Sequence, residues 1–363
     1  MRLRIPIILL ILINALPAYS VGRHNKETKA LLNHLRLLSN EKKTLFGQFD
    51  TYYSGFNWLI KDSDTAFIKS DIYDICGDYP VIFGFDFNGI KQTSNKKAAI
   101  KHHERGGIIT ISWHMNNLIT GGNAWDRSSD KVVHSILNDE QTKKEFCKQL
   151  DSFASFCLKL RGNDGFLIPV LFRPWHESTS KSFWWGDECC SDKDYKKLWK
   201  FTYTYLVKKK KVTNLIWVFS LDKMSSENEF SRRYPGNKYV DIIGFEKYQY
   251  WTDKETKDES IDRFRNDLRN GLLLLSYVCK KHNKIPAVTE LGFAGGVPTN
   301  FWTYCVEDVV RDFPLAYISI WSNANDNRNR VFGPYPEFRD SKVFKQLIQN
   351  KRVLLLNGLN NKE

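Results

Sequence analysis

The sequence lacks the short signatures that many binding sites carry. It has no Cys-x-x-Cys pair and no His-Glu-x-x-His segment, which removes common zinc-ligand spacings. No Gly-x-Gly-x-x-Gly loop follows the first apolar run, which weakens a doubly wound dinucleotide-binding sheet. Low-complexity linkers are missing, so nothing marks a domain boundary. Beyond residue 20, no apolar stretch resembles a membrane span. The seven cysteines are odd in number, so at least one stays unpaired within the chain. Cys189 and Cys190 are adjacent and would strain to bridge each other. Buried thiols, no metal and no cofactor are the expectation.

A nucleic-acid motif is also missing, although the net charge is +13. The positive charge is dispersed. Its densest run, Lys208–Lys211, closes an apparent helix, where cations suit the dipole. We expect a solvated helix end there and no nucleic-acid partner.

What is present begins with a leader. Arg2 and Arg4 precede an apolar run from Ile5 to Leu16, and Ala18-Tyr19-Ser20 has the small-x-small form of a cleavage site. Residues 1–20 read as a secretory signal peptide. No cysteine follows them, so no lipoprotein anchor is expected. The mature chain, residues 21–363, is expected to be secreted, extracellular or periplasmic, with no stable membrane insertion. Without the two leader arginines its charge is +11.

Eight short apolar runs recur along that chain: 44–50, 79–87, 106–114, 165–177, 214–220, 240–248, 285–292 and 315–321. Continuous apolar runs suit strands buried on both faces of a parallel sheet. Helical segments lie between them. In one, Ile261, Phe264, Leu268 and Leu272 fall on a single face. Eight strand–helix alternations predict a single-domain α/β fold, a (β/α)8 TIM barrel. Residues 25–43 read as an extra N-terminal helix packed on it.

In such a barrel the chemistry lies where the strands end. The third run ends Trp113-His114, and the fourth ends Arg173-Pro174-Trp175-His176-Glu177. The sixth ends Glu246-Lys247-Tyr248, the seventh Thr289-Glu290-Leu291, and the eighth Trp321. Glu177 and Glu290 then face each other across the mouth. Glycoside hydrolysis needs such a pair: one acid to protonate the leaving oxygen, one carboxylate to attack. Aromatic residues make up 14% of the chain, eleven of them tryptophans, and their rings suit the apolar faces of sugars. Each residue also has a plain structural reading. His114 and His176 fit a satisfied core histidine, and Trp184 and Trp185 fit the core. The polar run 101–106 is given no role.

At these residues the sequence resembles glycoside hydrolase family 26, whose acid/base motif is close to R-P-x-H-E-x-x-G-x-W-F-W-W-G. Here it runs Arg173-Pro174-Trp175-His176-Glu177, then Phe183-Trp184-Trp185-Gly186. Ser112-Trp113-His114 with Asn117, then Gly121-Gly122 and Trp125-Asp126, resembles a second family segment. The resemblance runs from about Leu45 to about Phe344. It implies a retaining double displacement on β-1,4-mannan, with Glu177 as acid/base and Glu290 as nucleophile. Tyr248 would hydrogen-bond Glu290, and Arg173 would favour its ionised form. His114 and His176 would line the scissile sugar, and Trp321 would lie beneath it. Trp113, Trp184 and Trp185 join the expected substrate-binding set. The implied partner is β-mannan or a related plant polysaccharide, bound by a monomer. The family also includes β-1,3-1,4-glucanases and β-1,3-xylanases, and a non-catalytic glycan-binding protein on the same fold is a further alternative. Four positions depart from the pattern: Ser180 and Ser182 replace the glycine and first tryptophan after the acid/base. Gln48 replaces a histidine, and Leu118 a proline.

Overall fold

Each of the eight apolar runs forms a strand in the computed structural model, which describes residues 23–60, 67–88, 92–250, 254–294, 301–326, 330–338 and 341–360. They are β1 (Thr44–Phe49), β2 (Ile82–Asp86), β3 (Ile108–Ser112), β4 (Val170–Arg173), β5 (Leu215–Leu221), β6 (Ile242–Tyr250), β7 (Ile285–Ala294) and β8 (Tyr317–Ile320). The expected leader, residues 1–20, lies outside the described residues.

All neighbouring strands pair in parallel, each with the next in sequence. The ring closes because β8 pairs with β1, with Leu45 opposite Tyr317. The fold is a closed (β/α)8 barrel. A closed ring leaves no barrel strand with an unpaired edge. Burial on both faces explains why the runs are continuous and not alternating: every residue of β1, β3 and β5 is buried.

The flanking helices follow from equally local signals. The helix Lys257–His282 begins at a Thr256/Glu259 capping box and ends at Asn283, which adopts a left-handed conformation with φ 53°. Its buried stripe runs Ile261, Phe264, Leu268, Leu272, Leu275 and Val278, at helical spacing. The N-terminal helix Lys26–Asn40, capped by the Asn25 side chain, buries Leu35 and Leu38. They join a cluster with Leu45, Ile82, Ile108, Leu171, Ile216 and Ile285, at the strand beginnings. That end of the barrel is thereby sealed, and the carboxyl-terminal mouth is left for a site.

One local expectation changes, and another gains detail. The run 101–106 is not wholly polar surface: His102 is fully buried, bonded to the Tyr52 hydroxyl (2.8 Å) and the Val81 carbonyl (2.9 Å). Burial pushes its pKa down to about 4, so it stays neutral. The lysine run caps a π-helical turn, Tyr205–Lys209, and Lys210 pairs with Asp151 at 2.6 Å. No described helix is long and apolar enough to cross a membrane.

Candidate active site

The segment that follows Arg173 is held in an uncommon backbone. After β4, Trp175 and Glu177 both have positive φ, 50° and 49°. Each such conformation costs a non-glycine residue roughly 1–2 kcal/mol, so the surroundings must hold it. They do. The Trp175 carbonyl accepts from the Tyr195 hydroxyl (2.8 Å), and its indole N–H donates to Thr202 (3.2 Å). The Trp185 indole donates to the His176 carbonyl, and the Ser180 N–H to the Glu177 carbonyl, both at 2.8 Å. Gly186 closes this loop where a Cβ would stand 2.2 Å from the Ser180 carbonyl oxygen. Salt bridges from Asp187 to Arg232 and Arg233 anchor its far end.

Glu177 emerges half-buried at the mouth, while Glu290 is 5% exposed. Arg173, itself buried, reaches both Glu290 and Glu246 with separate guanidinium nitrogens. The Tyr248 hydroxyl donates to Glu290 Oε2 at 2.6 Å. Register explains this geometry. Glu246 lies opposite Glu290, and Tyr248 opposite Gly292, on adjacent strands. A Cβ at Gly292 would stand 2.9 Å from the Tyr248 ring, so glycine lets the phenol lie across β7 towards Glu290.

Burial pushes both Glu177 and Glu290 up to about 7. Arg173 opposes the rise at Glu290, as its charge predicts, but burial outweighs it. What separates the two carboxyls is their partners. Glu290 receives a guanidinium and a phenol, both of which favour its ionised form. Glu177 has the carboxyl of Glu246 as a neighbour, and the negative charges of Glu290 and Asp222 raise its pKa. The two donors mark Glu290 as the carboxyl whose ionised form the site supports. Such a pair can present an acid and a carboxylate together near neutral pH.

Beside them runs a second chain of contacts. His114 Nδ1 lies 2.7 Å from Asp86 Oδ2, and its Nε2 lies 3.1 Å from His176 Nε2. Burial and the Arg173 charge hold the His176 pKa well below the usual histidine range, so it is neutral. Trp125, 55% exposed, stacks on His114 at 4.8 Å. Trp321 is half-buried, stacked on Phe49 at 4.6 Å, with His114 at its edge. Among the described residues no group of three or more His, Cys, Asp or Glu side chains could hold a metal.

Three expected sugar-binding residues are elsewhere. Trp113 is buried against Phe153 and Phe87, in the layer between strands and helices. Adjacent strand residues point to opposite faces, so only His114 of that pair reaches the mouth. Trp184 and Trp185 have no exposed area. Their indole nitrogens are bonded to the Met115 and His176 carbonyls. They support the Glu177 loop from behind and offer no free face to a sugar. Glu246 and Trp125 stand in segments read from the sequence but without a role, and Asp86 and Phe49 are given none. Glu246 had a signal: it precedes Tyr248 by two residues, the strand period that keeps both on one face.

Comparison with known sequences decides the family. The profile of glycosyl hydrolase family 26 matches residues 22–294. The chain belongs to glycosyl hydrolase family 26. It is 28% identical over 283 residues to a mannan endo-1,4-beta-mannosidase of Bifidobacterium adolescentis. That match covers 70% of this chain and 28% of the relative, so the chain spans under a third of that relative's length. Two solved members of the family align over nearly the whole fold. A beta-mannanase from Bacteroides ovatus has TM-score 0.82 and 31% identity, covering 91% of this chain and 95% of its own. The catalytic domain of a Bacillus sp. endo-beta-1,4-mannanase has TM-score 0.85 and 28% identity, covering 93% of each.

Proposed function

We propose that this family member is a secreted, retaining endo-β-1,4-mannanase, with Glu290 as nucleophile and Glu177 as acid/base. One observation carries the assignment: the cation and the phenol converge on Glu290, while Glu177 has neither. In the first step Glu177 gives its proton to the glycosidic oxygen as the C–O bond breaks. Glu290 forms an ester with the anomeric carbon. In the second, Glu177 takes a proton from water, whose oxygen attacks that carbon and frees Glu290. A retaining pair has its carboxyl groups about 5–5.5 Å apart. Trp321 and Trp125 are the rings with faces available to sugar. Secretion rests on the leader pattern of residues 1–20, and the names of the relatives support mannan as substrate.

The test is product analysis on β-mannan, mixed-linkage β-glucan and β-xylan, with the anomer released followed by NMR. Cleavage of mannan with the β-anomer appearing first is the expected result. Inversion would overturn the mechanism. Selective cleavage of glucan or xylan would move the substrate within the family. The exposed serine at position 182 is the one feature that favours such a move.

A further inference from the structure

Three carboxyl groups and one cation are packed together at this mouth, and the reaction above uses only two of the carboxyls. The third, Glu246, is buried. Its Oε1 accepts from two donors, Arg173 Nη1 and the Ser220 hydroxyl at 2.8 Å. Its Oε2 is buried and receives no donor. A bare carboxylate oxygen in that position carries the full desolvation cost of an unpartnered charged group. The carboxyl of Glu177 neighbours Glu246, placed so that the two can share a hydrogen bond once one of them carries a proton. Two ionised carboxylates cannot make that bond, because neither has a proton to donate.

Charge counting leads to the same place. The ionisable side chains around Glu246 are Arg173 on β4, Glu177 just after it, Tyr248 on its own strand, Glu290 on β7 and Tyr317 on β8. Burial keeps both tyrosines neutral, and nearby His176 is neutral as well. Within this cluster the single cation therefore balances a single carboxylate, while Asp222, which lies just after β5 and accepts from Thr179, adds a negative charge near Glu177. If that carboxylate is Glu290, ready to attack, both Glu177 and Glu246 carry protons.

We propose that Glu246 is a neutral carboxylic acid whose Oε2–H donates to Glu177, and that it is the positioning residue which holds Glu177 and favours its ionised form. This rests on the retaining reading given above. Glu246 keeps its proton throughout. When Glu177 passes its own proton to the leaving oxygen, negative charge disappears from Glu290 into the new ester bond and appears on Glu177. The hydrogen bond from Glu246 then becomes charge-assisted and strengthens. The cluster stays neutral in both states. In the second step water returns a proton to Glu177, and the bond weakens again. The pKa of Glu246 lies well above the ordinary carboxyl range, as burial and the nearby Glu177 require.

The experiment is the pH profile of kcat/KM for Glu246→Gln and Glu246→Leu. Glutamine keeps the acceptor for Arg173 and supplies an N–H for Glu177. Its alkaline limb should stay within about 0.3 pH unit of the parent's. Leucine removes the donor. Its alkaline limb should rise by about one unit, and cleavage of mannooligosaccharides should fall at least ~10-fold while an activated aryl mannoside is spared. The rival state is an ionised Glu246, a second counter-ion for Arg173. Glutamine would then delete a negative charge beside Glu177, and its alkaline limb should drop by about one unit or more. That result, or a leucine variant with the glutamine profile, overturns the proposal.

Infrared spectroscopy of the substrate-free protein gives a readout that needs no activity and no folded leucine variant. A protonated-carboxyl band that persists at about pH 8 and disappears in Glu246→Gln is expected. Its absence from the parent protein overturns the proposal, whatever glycan the enzyme cleaves.

Discussion

Replacing Tyr248 by phenylalanine removes one hydroxyl and little else. The ring packs edge-on against Phe332, with centroids 5.2 Å apart, and phenylalanine retains that contact. What is lost is the 2.6 Å hydrogen bond to Glu290 Oε2. A hydrogen bond to a charged group is worth about 1.5–3 kcal/mol, and one pKa unit corresponds to about 1.36 kcal/mol. The donor favours the carboxylate, so its loss raises the pKa of Glu290 by about one to two units above its present value near 7. The nucleophile must be ionised in the free enzyme, which places this titration on the acidic limb of kcat/KM. That limb should move up by about one to two pH units. At a pH below both positions of the limb, activity should fall roughly ten- to hundredfold, with recovery as pH rises. The assay is initial-rate kinetics on mannooligosaccharides across the pH range, with thermal melting to check the fold. A uniform loss at every pH, with the acidic limb unmoved, would refute the reasoning and assign the hydroxyl to the substrate instead.

Three further outcomes are expected. Glu177→Ala should abolish turnover of mannooligosaccharides but leave glycosylation by activated aryl mannosides largely intact, since a good leaving group needs no acid. Equal loss on both substrates would remove Glu177 from that role. Glu290 should also shape stability. Its folded pKa, about 7, lies above its ordinary value of 4.5, so folding favours the protonated form. Its contribution is complete below 4.5 and is lost as pH rises to about 7, a change on the order of 3 kcal/mol. Glu290→Gln should accordingly show a smaller fall in Tm across that window than the parent, and a parallel fall would contradict the burial argument. Ser182→Trp should restore an aromatic face at the exposed rim. A stacked area of roughly 60–80 Å² is worth about 1.5–2 kcal/mol, or ten- to thirtyfold in affinity at that subsite. Trp184 and Trp185 are fixed by their indole hydrogen bonds and do not compensate. If kcat/KM on short mannooligosaccharides fails to rise, the missing indole is not what limits the enzyme.

The barrel was legible in the sequence because every strand is buried on both faces. An apolar run needs no knowledge of its neighbours to be recognised, and eight such runs separated by helical stripes admit few architectures. Glu177 followed, because the end of β4 is marked locally by the point where the apolar run stops; Glu290 instead lies four residues inside β7, which pairs with β6 as far as Ala294. Pairing of adjacent residues misled at Trp113-His114: strand alternation sends one inward and one outward, and composition does not say which. The tryptophans at 184 and 185 misled for a different reason. Their spacing is that of an irregular loop with no period to read, and the positive φ values at 175 and 177 that they support have no sequence signature.

By itself the sequence determined the strands and the helix stripes and caps, though β6 and β7 run on past the ends of their apolar runs to Tyr250 and Ala294. Only the tertiary structure decided how those ends interact. Arg173 meets Glu246 across 73 residues and Glu290 across 117, through strand register around a closed ring. The ionisation of each carboxyl follows from that meeting, because one buried guanidinium balances one negative charge, and which carboxyl keeps it depends on donors supplied by other strands. Local periodicity carries no information about such distant partners, whereas closure of the ring brings them within hydrogen-bond range.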